Sequence, residues 1–407
     1  MVITKVEIIQ IRREAARRPV LCRVHTSEGI YGCGETQLAR TFASDPVFEA
    51  LRELSSLVIG MDPMAHEVIW EKLRRNSYWG MSGSLIFLSA ISALDIALWD
   101  IKGKLCNQPL YQLLGGKQRE SLRSYASQVH FGWGLDRCDP NCPKVGSPDW
   151  FYQSAKNAVD DGYDAIKIGL LFHGPAGERF GHMSTTNHLS RSVMKMAEAR
   201  LAAAREAIGP DVEILLENHT NTDMNTAIEL GQMAKDYDIL VMEEPTAPLN
   251  PAAMLRIAES SGIRLAIGER LVSRWDFLPY FENGSLTLIQ PDIGICGGIT
   301  ETKKIADLAQ VYEVGVQMHM CTTQISYAAS LHIQAAIPNF FISEHHIACE
   351  EPIILDICDK SYVPKNGYVG IPEGPGLGLS IREEALIGAR IETVEENNHS
   401  YVAPIIR

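Results

Sequence analysis

Ile214-Leu215-Leu216-Glu217, Leu240-Val241-Met242-Glu243 and Leu265-Ala266-Ile267-Gly268-Glu269 repeat one pattern, an apolar run that stops at an acid. The acids fall at equal intervals, 217, 243 and 269. Each interval is long enough for one strand, loop, helix and loop. A continuous apolar run is how a parallel strand buried on both faces reads. Three such runs at one period predict three neighbouring parallel strands with a carboxylate at the same end of each. Clustered carboxylates repel one another and drift toward protonation unless a cation sits among them. All-oxygen ligation by Glu217, Glu243 and Glu269 points to Mg2+.

The rhythm extends to both sides. Leu122–Ser127 and Ala165–Ile168 read as earlier strands, and Leu286–Gln290, Gly315–Met318 and Phe340–Ser343 as later ones. Helical spacing lies between them at Trp150–Asp161, Ser192–Ile208, Thr300–Tyr312 and Thr323–Ala336. Eight parallel strands alternating with helices close most naturally into a (β/α) barrel, whose active site lies at the C-terminal strand ends. Residues 1–120 do not follow this period. Val2–Ile11 and Val20–His25 alternate like strands, Ser27-Glu28-Gly29 is a hairpin signal, and Ser84–Lys104 is the strongest helix. This predicts an α+β module (1–120), a barrel (121–366) and a C-terminal segment (367–407) that packs back on the first module. The segment Leu170–Arg191 is long for a connection and is a candidate lid.

The chain has 407 residues, 46% hydrophobic and 21% charged, as expected of a soluble globular protein. A net charge of −13 argues against nucleic acid as a partner. Nine cysteines, an odd number, do not suggest a disulfide framework, and Cys138 with Cys142 lack a second pair for zinc. No run approaches the roughly 18 apolar residues of a membrane span, and the first residues lack the apolar core of a signal peptide. No membrane association is expected, and the expected location is cytoplasmic.

Further candidates sit at the remaining strand ends. Asp292 and His319 follow adjacent strands, and a carboxylate bonded to an imidazole fixes its tautomer and raises its basicity, as a general base requires. His219, two residues beyond Glu217, could face the site as a second acid or base. Lys167 could pair with a ligand carboxylate. Glu344, if protonated in a crowded anionic site, could donate a hydrogen bond. Together these groups suit proton abstraction beside a carboxylate, followed by loss of a neighbouring hydroxyl as water.

The chain resembles the enolase superfamily and, within it, the mandelate racemase subgroup. The resemblance rests on SEGIYGCGET (Ser27–Thr36), Ala90–Gly116, DGYDAIKIG (Asp161–Gly169), EEP (Glu243–Pro245), IGER (Ile267–Arg270) and QPDIGICGGIT (Gln290–Thr300). It implies an α/β protein: a (β/α)7β modified TIM barrel with an α+β capping domain formed by N-terminal and C-terminal segments. It further implies a homo-oligomer, in some members an octamer. Glu217, Glu243 and Glu269 would bind Mg2+, Asp292 and His319 would form a dyad, and Glu344 would donate to the substrate carboxylate. Where racemase-like members carry Lys-x-Lys, this chain has Lys167-Ile168-Gly169, which makes a two-base racemase improbable. His219 resembles the histidine of galactonate and mannonate dehydratases, although Glu217 stands where those have aspartate. The expectation is an Mg2+-dependent acid-sugar dehydratase forming a 2-keto-3-deoxy acid. A cycloisomerase or epimerase acting on a sugar-acid lactone or anhydro-sugar acid is the alternative, and a non-catalytic barrel is the third reading. Arg18, Tyr78, Trp79 and Arg270 are the candidates for gripping the substrate.

Overall fold

The computed structural model describes residues 1–13, 17–38, 41–76, 79–175, 177–180 and 185–397. The chain opens with β1 (Ile3–Gln10), β2 (Val20–Thr26) and β3 (Tyr31–Thr36), followed by α1 (Ser44–Ser55), α2 (His66–Asn76), α3 (Leu85–Leu105) and the single turn α4 (Leu110–Leu113). Then come β4 (Ser121–Ser127), α5 (Pro148–Asp160), β5 (Ala165–Gly169), α6 (Arg191–Ile208), β6 (Glu213–Glu217), α7 (Met224–Ala234), β7 (Ile239–Glu243), α8 (Pro251–Ser261) and β8 (Leu265–Ile267). The barrel continues through α9 (Arg274–Asn283), β9 (Leu288–Ile289), α10 (Gly298–Val311), β10 (Gly315–Val316), α11 (Gln324–Ala336) and β11 (Ser343–His346). The short α12 (Pro352–Leu355), β12 (Tyr368–Gly370) and β13 (Arg390–Val394) complete the described chain.

Strands β13, β1, β2 and β3 form an antiparallel sheet in that order, so the two ends of the chain build the cap together, as expected. Before reaching it the chain lays β12 antiparallel on β4, so the tail touches the barrel first. Helix α3 packs directly on β3. This needs glycine at 32 and 34, because a Cβ there would lie 2.0 Å from the Ala97 carbonyl oxygen and 1.8 Å from that of Ala93.

The parallel strands run β10-β9-β8-β7-β6-β5-β4-β11, and a bridge between Val316 and Phe340 joins β10 to the chain just ahead of β11, closing the ring. The last strand is Ser343–His346 rather than Phe340–Ser343, so Glu344 lies within it, level with Tyr125. The barrel is plugged by Tyr125, Ala165, Leu215, Val241, Ala266, Leu288 and Ile342. Strand alternation turns the residue two positions later the same way. A second layer above the plug therefore consists of Ser127, Lys167, Glu217, Glu243, Gly268, Gln290 and Glu344. This layer is the floor of the site.

Buried carboxylates latch the cap to the barrel. Glu35 of β3 accepts from the Thr323 amide (2.9 Å), the Thr323 hydroxyl (2.8 Å) and the Ser326 amide (3.0 Å) at the start of α11. Asp95 of α3 accepts from the Thr300 amide (2.9 Å) and hydroxyl (2.6 Å) in the first turn of α10. Orphan amides at a helix start suit an anion. Burial nevertheless outweighs these donors and pushes the Glu35 pKa up to about 7, from an ordinary value of 4.5. With a raised folded pKa, the folded protein binds more protons than the unfolded chain between those values, so stability falls as pH rises through that window. Relative to Glu35→Gln, the wild type is expected to lose up to about 3 kcal/mol of unfolding free energy between pH 5 and pH 8. Denaturant titrations of both proteins at each pH measure this; a difference that does not change with pH would refute it.

A candidate active site at the strand ends

Lys167 occupies the middle of the floor and is 1% exposed. Its Nζ lies 2.7 Å from Glu243 Oε1, 2.9 Å from Glu344 Oε1 and 3.2 Å from Glu217 Oε2. Burial alone would lower the lysine pKa, but Glu243, Glu344 and Glu217 together hold it well above its ordinary value. Glu243 is pushed well upward by burial and then by Glu217, with Lys167 only partly compensating. Gln290 donates to Glu243 and also to Gln317. Glu217 Oε1 is buried and accepts no hydrogen bond from the described residues.

Glu344 accepts from the Ser127 hydroxyl (2.5 Å) and the Met320 amide (2.8 Å). Burial would raise it, but Lys167, then His319 and His346, hold its pKa down at about 2. In this arrangement Glu344 is a carboxylate that accepts, not the protonated donor expected from the sequence.

The three evenly spaced acids are not level. Glu217 pairs with Glu243, whereas Glu243 pairs with Ala266, which leaves Glu269 three residues further out. Closing a barrel requires its strands to stagger, so equal spacing along the chain does not give equal height. Glu269 joins a different group. Its Oε2 lies 3.2 Å from His319 Nε2, and its Oε1 lies 3.5 Å from His219 Nε2 and 2.9 Å from Arg270. Glu244, directly behind Glu243, turns the opposite way at φ 44° and binds Arg270 Nε at 2.9 Å. Among the described residues, the ligand atoms of His219, Glu244 and Glu269 all lie within 4.8 Å of one another.

His219 stands at φ 50°, beyond the end of β6, so a left-handed turn rather than strand alternation aims it at Glu269. Unfavourable backbone of this kind gathers at functional sites. His319 Nδ1 meets Asp292 Oδ2 at 2.7 Å, the dyad read from the sequence. Asp292 Oδ1 is fixed by the Gly294 amide at 2.8 Å. Burial acts to lower the His319 pKa, but Glu269 and the Asp292 hydrogen bond lift it well above the ordinary histidine value. His219 is raised in the same way, against burial, by Glu269 and then Glu217.

Above the floor is a cavity of about 680 Å3 whose lining includes Gln128, Arg137, Arg179, His219, Glu269 and His319. Arg270 lines it too, but is bound to Glu244 and Glu269. Arg18 does not appear in the lining; it pairs with Asp45 at 2.9 Å within the cap. Tyr78 lies outside the described residues, and of Trp79 only the backbone, opening the turn Trp79–Ser82, is described. In the candidate lid, His182 is outside the described residues, His188 is exposed beside Glu229 at 3.5 Å, and His173 lines the cavity. At Gly169 a Cβ would lie 2.3 Å from the Phe172 ring and 3.1 Å from His130, so the place of a second lysine is already filled.

Sequence reasoning passed over Gln290, Ser127, Glu244 and Arg200. Gln290 could have been flagged, as a polar residue closing an apolar run ahead of Pro291. Arg200 could not. It is a helix residue whose buried guanidinium donates to the carbonyls of Gly146 (2.7 Å), Leu170 (2.6 Å), His173 (2.6 Å) and Gly174 (3.1 Å), binding together the loops after β4 and β5.

Residues 8–115 match the mandelate racemase / muconate lactonizing enzyme N-terminal domain family, and residues 150–385 match the enolase C-terminal domain-like family. The chain is 32% identical over 379 residues to a D-gluconate dehydratase of Thermoproteus tenax, covering 92% of this chain and 70% of that one. It is likewise 32% identical over 379 residues to a D-galactonate dehydratase of Pectobacterium atrosepticum, covering 91% and 90%. A solved structure of an enolase superfamily member from Salmonella Typhimurium superposes with a TM-score of 0.93 at 44% identity, covering 97% of this chain and 99% of that one.

Proposed function

The chain belongs to the mandelate racemase subgroup of the enolase superfamily, and from that premise we propose that it dehydrates an acid sugar to a 2-keto-3-deoxy acid with the help of Mg2+. It is an enzyme of the lyase class, a hydro-lyase like its named relatives. The observation that carries the reaction is the pair of imidazoles, His319 and His219, on opposite oxygens of Glu269. One is placed to take a proton and the other to give one.

His319 is the base. Asp292 occupies Nδ1, so Nε2 is the nitrogen that takes the C2 proton. His219 is the acid. Its proton leaves with the 3-hydroxyl as water, and the resulting enol becomes the 2-keto-3-deoxy product. Lys167 is buried beneath the cavity and already paired with Glu217, Glu243 and Glu344, so it does not meet a ligand carboxylate as the sequence suggested; it is the counter-charge that holds these acids in place.

A divalent cation fits the acids present. Glu244, raised first by burial, is raised further by the charges of Glu269, Glu217 and Glu243, so the four carboxylates face one another, and among the described residues Glu217 Oε1 has no hydrogen-bond partner. Glu217, Glu243 and Glu269 would hold it, with Glu244 and His219 adjacent to Glu269. Bound there, the cation supplies positive charge for the oxygens of a carboxylate losing its neighbouring proton and relieves the pull of Glu269 on His319.

The test is a proton NMR screen in D2O with Mg2+ across aldonic, aldaric and uronic acids and their lactones. Loss of the C2 signal with growth of a 2-keto-3-deoxy product is expected. Exchange or ring opening without loss of water would replace this reading with the epimerase or cycloisomerase one.

A further inference from the structure

The cavity is uneven in charge. On its inner side Arg270 is neutralised by Glu244 and Glu269. On its outer side the loops after β4 and β5 bring Arg137, His173 and Arg179, and among the described residues Glu269 is the one acid in the lining. Arg137 lies over the Trp150 ring at 5.4 Å and donates one hydrogen bond, to the Phe131 carbonyl at 2.8 Å. That leaves most of its fork of donors unused. Arg179 makes no ion pair among the described residues. The two guanidiniums act on the same spot: His173 is depressed by burial first, then by the charges of Arg200, Arg137 and Arg179. Arg200 binds both loops through four carbonyls, so this cationic rim is built into the fold.

In a chain of net charge −13, two guanidiniums over a cavity with no acid partner among the described residues make a local field that favours a negative ligand group. A neutral polyol tail needs acceptors as well as donors, and guanidinium is donor-only. A carboxylate matches its fork.

We propose that the substrate is an aldarate, a sugar acid with a second carboxylate at its far end, and that Arg137 and Arg179 receive that group. This rests on the dehydratase reading of the same site and goes beyond the aldonates in the relatives' names.

The experiment compares matched aldonates and aldarates of one configuration, together with 6-phosphoaldonates, as substrates of the Mg2+-supplemented enzyme. The aldarate is expected to show a kcat/KM at least about tenfold above its aldonate. Arg137→Gln and Arg179→Gln are each expected to raise the aldarate KM about tenfold with little change in kcat, as loss of a charge-assisted hydrogen bond at an accessible rim should. Arg179→Lys should restore part of the loss. Calorimetry of dicarboxylate binding to His319→Asn should show the same arginine dependence without turnover. Preference for the aldonate, or aldarate KM values unmoved in both glutamine variants, overturns the inference and leaves the dehydratase reading standing. A 6-phosphoaldonate used better than the aldarate overturns the carboxylate assignment. Absence of both water loss and C2 exchange across every series overturns the dehydratase reading as well.

Discussion

Replacing His319 with asparagine is expected to stop removal of the C2 proton and lower kcat by about a thousandfold, within the range general-base catalysis contributes. Asparagine keeps an amide that can donate to Asp292 Oδ2, now 2.7 Å from the imidazole, so the local packing survives. It cannot hold a transferred proton. The ring is aligned from both sides: Asp292 fixes Nδ1 and is itself fixed by the Gly294 amide, while Nε2 faces Glu269 at 3.2 Å. Deuterium incorporation at C2 in D2O reads the proton step directly, apart from water loss. Exchange at near the wild-type rate in His319→Asn would exclude this imidazole as the base. His219→Asn should give the complementary result, with C2 exchange retained and dehydration lost.

The second large effect is on stability. Lys167→Met is expected to cost about 3–5 kcal/mol in Mg2+-free buffer, the usual penalty for stranding buried charge by removing its partner. Among the described residues Lys167 is the one ammonium between Glu217, Glu243 and Glu344, each within 3.2 Å of its Nζ. Without it Glu243, already raised by burial and by Glu217, is the carboxyl that takes up a proton. Adding Mg2+ should recover much of the loss if Glu217 and Glu243 hold the cation. Urea midpoints of wild type and variant, with Mg2+ and with chelator, test both statements. Equal stability in chelator would dismiss Lys167 as the counter-charge. A deficit that Mg2+ leaves untouched would confine the cation to His219, Glu244 and Glu269, the grouping already within 4.8 Å.

Much of this protein is written in local pattern. Apolar runs at one period specify buried parallel strands, and eight of them specify a ring, because such a sheet needs helices on its outside and no free edge. The same pattern puts Asp292 and His319 on neighbouring strand ends, and Gly169 in place of a second lysine shows in the sequence alone. The relative height of the strand ends was not legible there. Stagger belongs to the closed ring, and it sets Glu269 beyond the end of its strand while Glu243 closes its own, although both follow the same interval. Nor could the partners of Lys167 be read, since Glu243 is 76 residues away along the chain and the contact exists only once the ring has closed. Glu244 and His219 leave strand alternation through left-handed backbone, which no periodicity announces. Arg200 looks like one more helix arginine until folding surrounds it with four carbonyls. Sequence determines which side chains reach the mouth of the barrel, because periodicity is local. Tertiary structure decides which of them meet, because register, stagger and the pairing of buried charge depend on the whole ring.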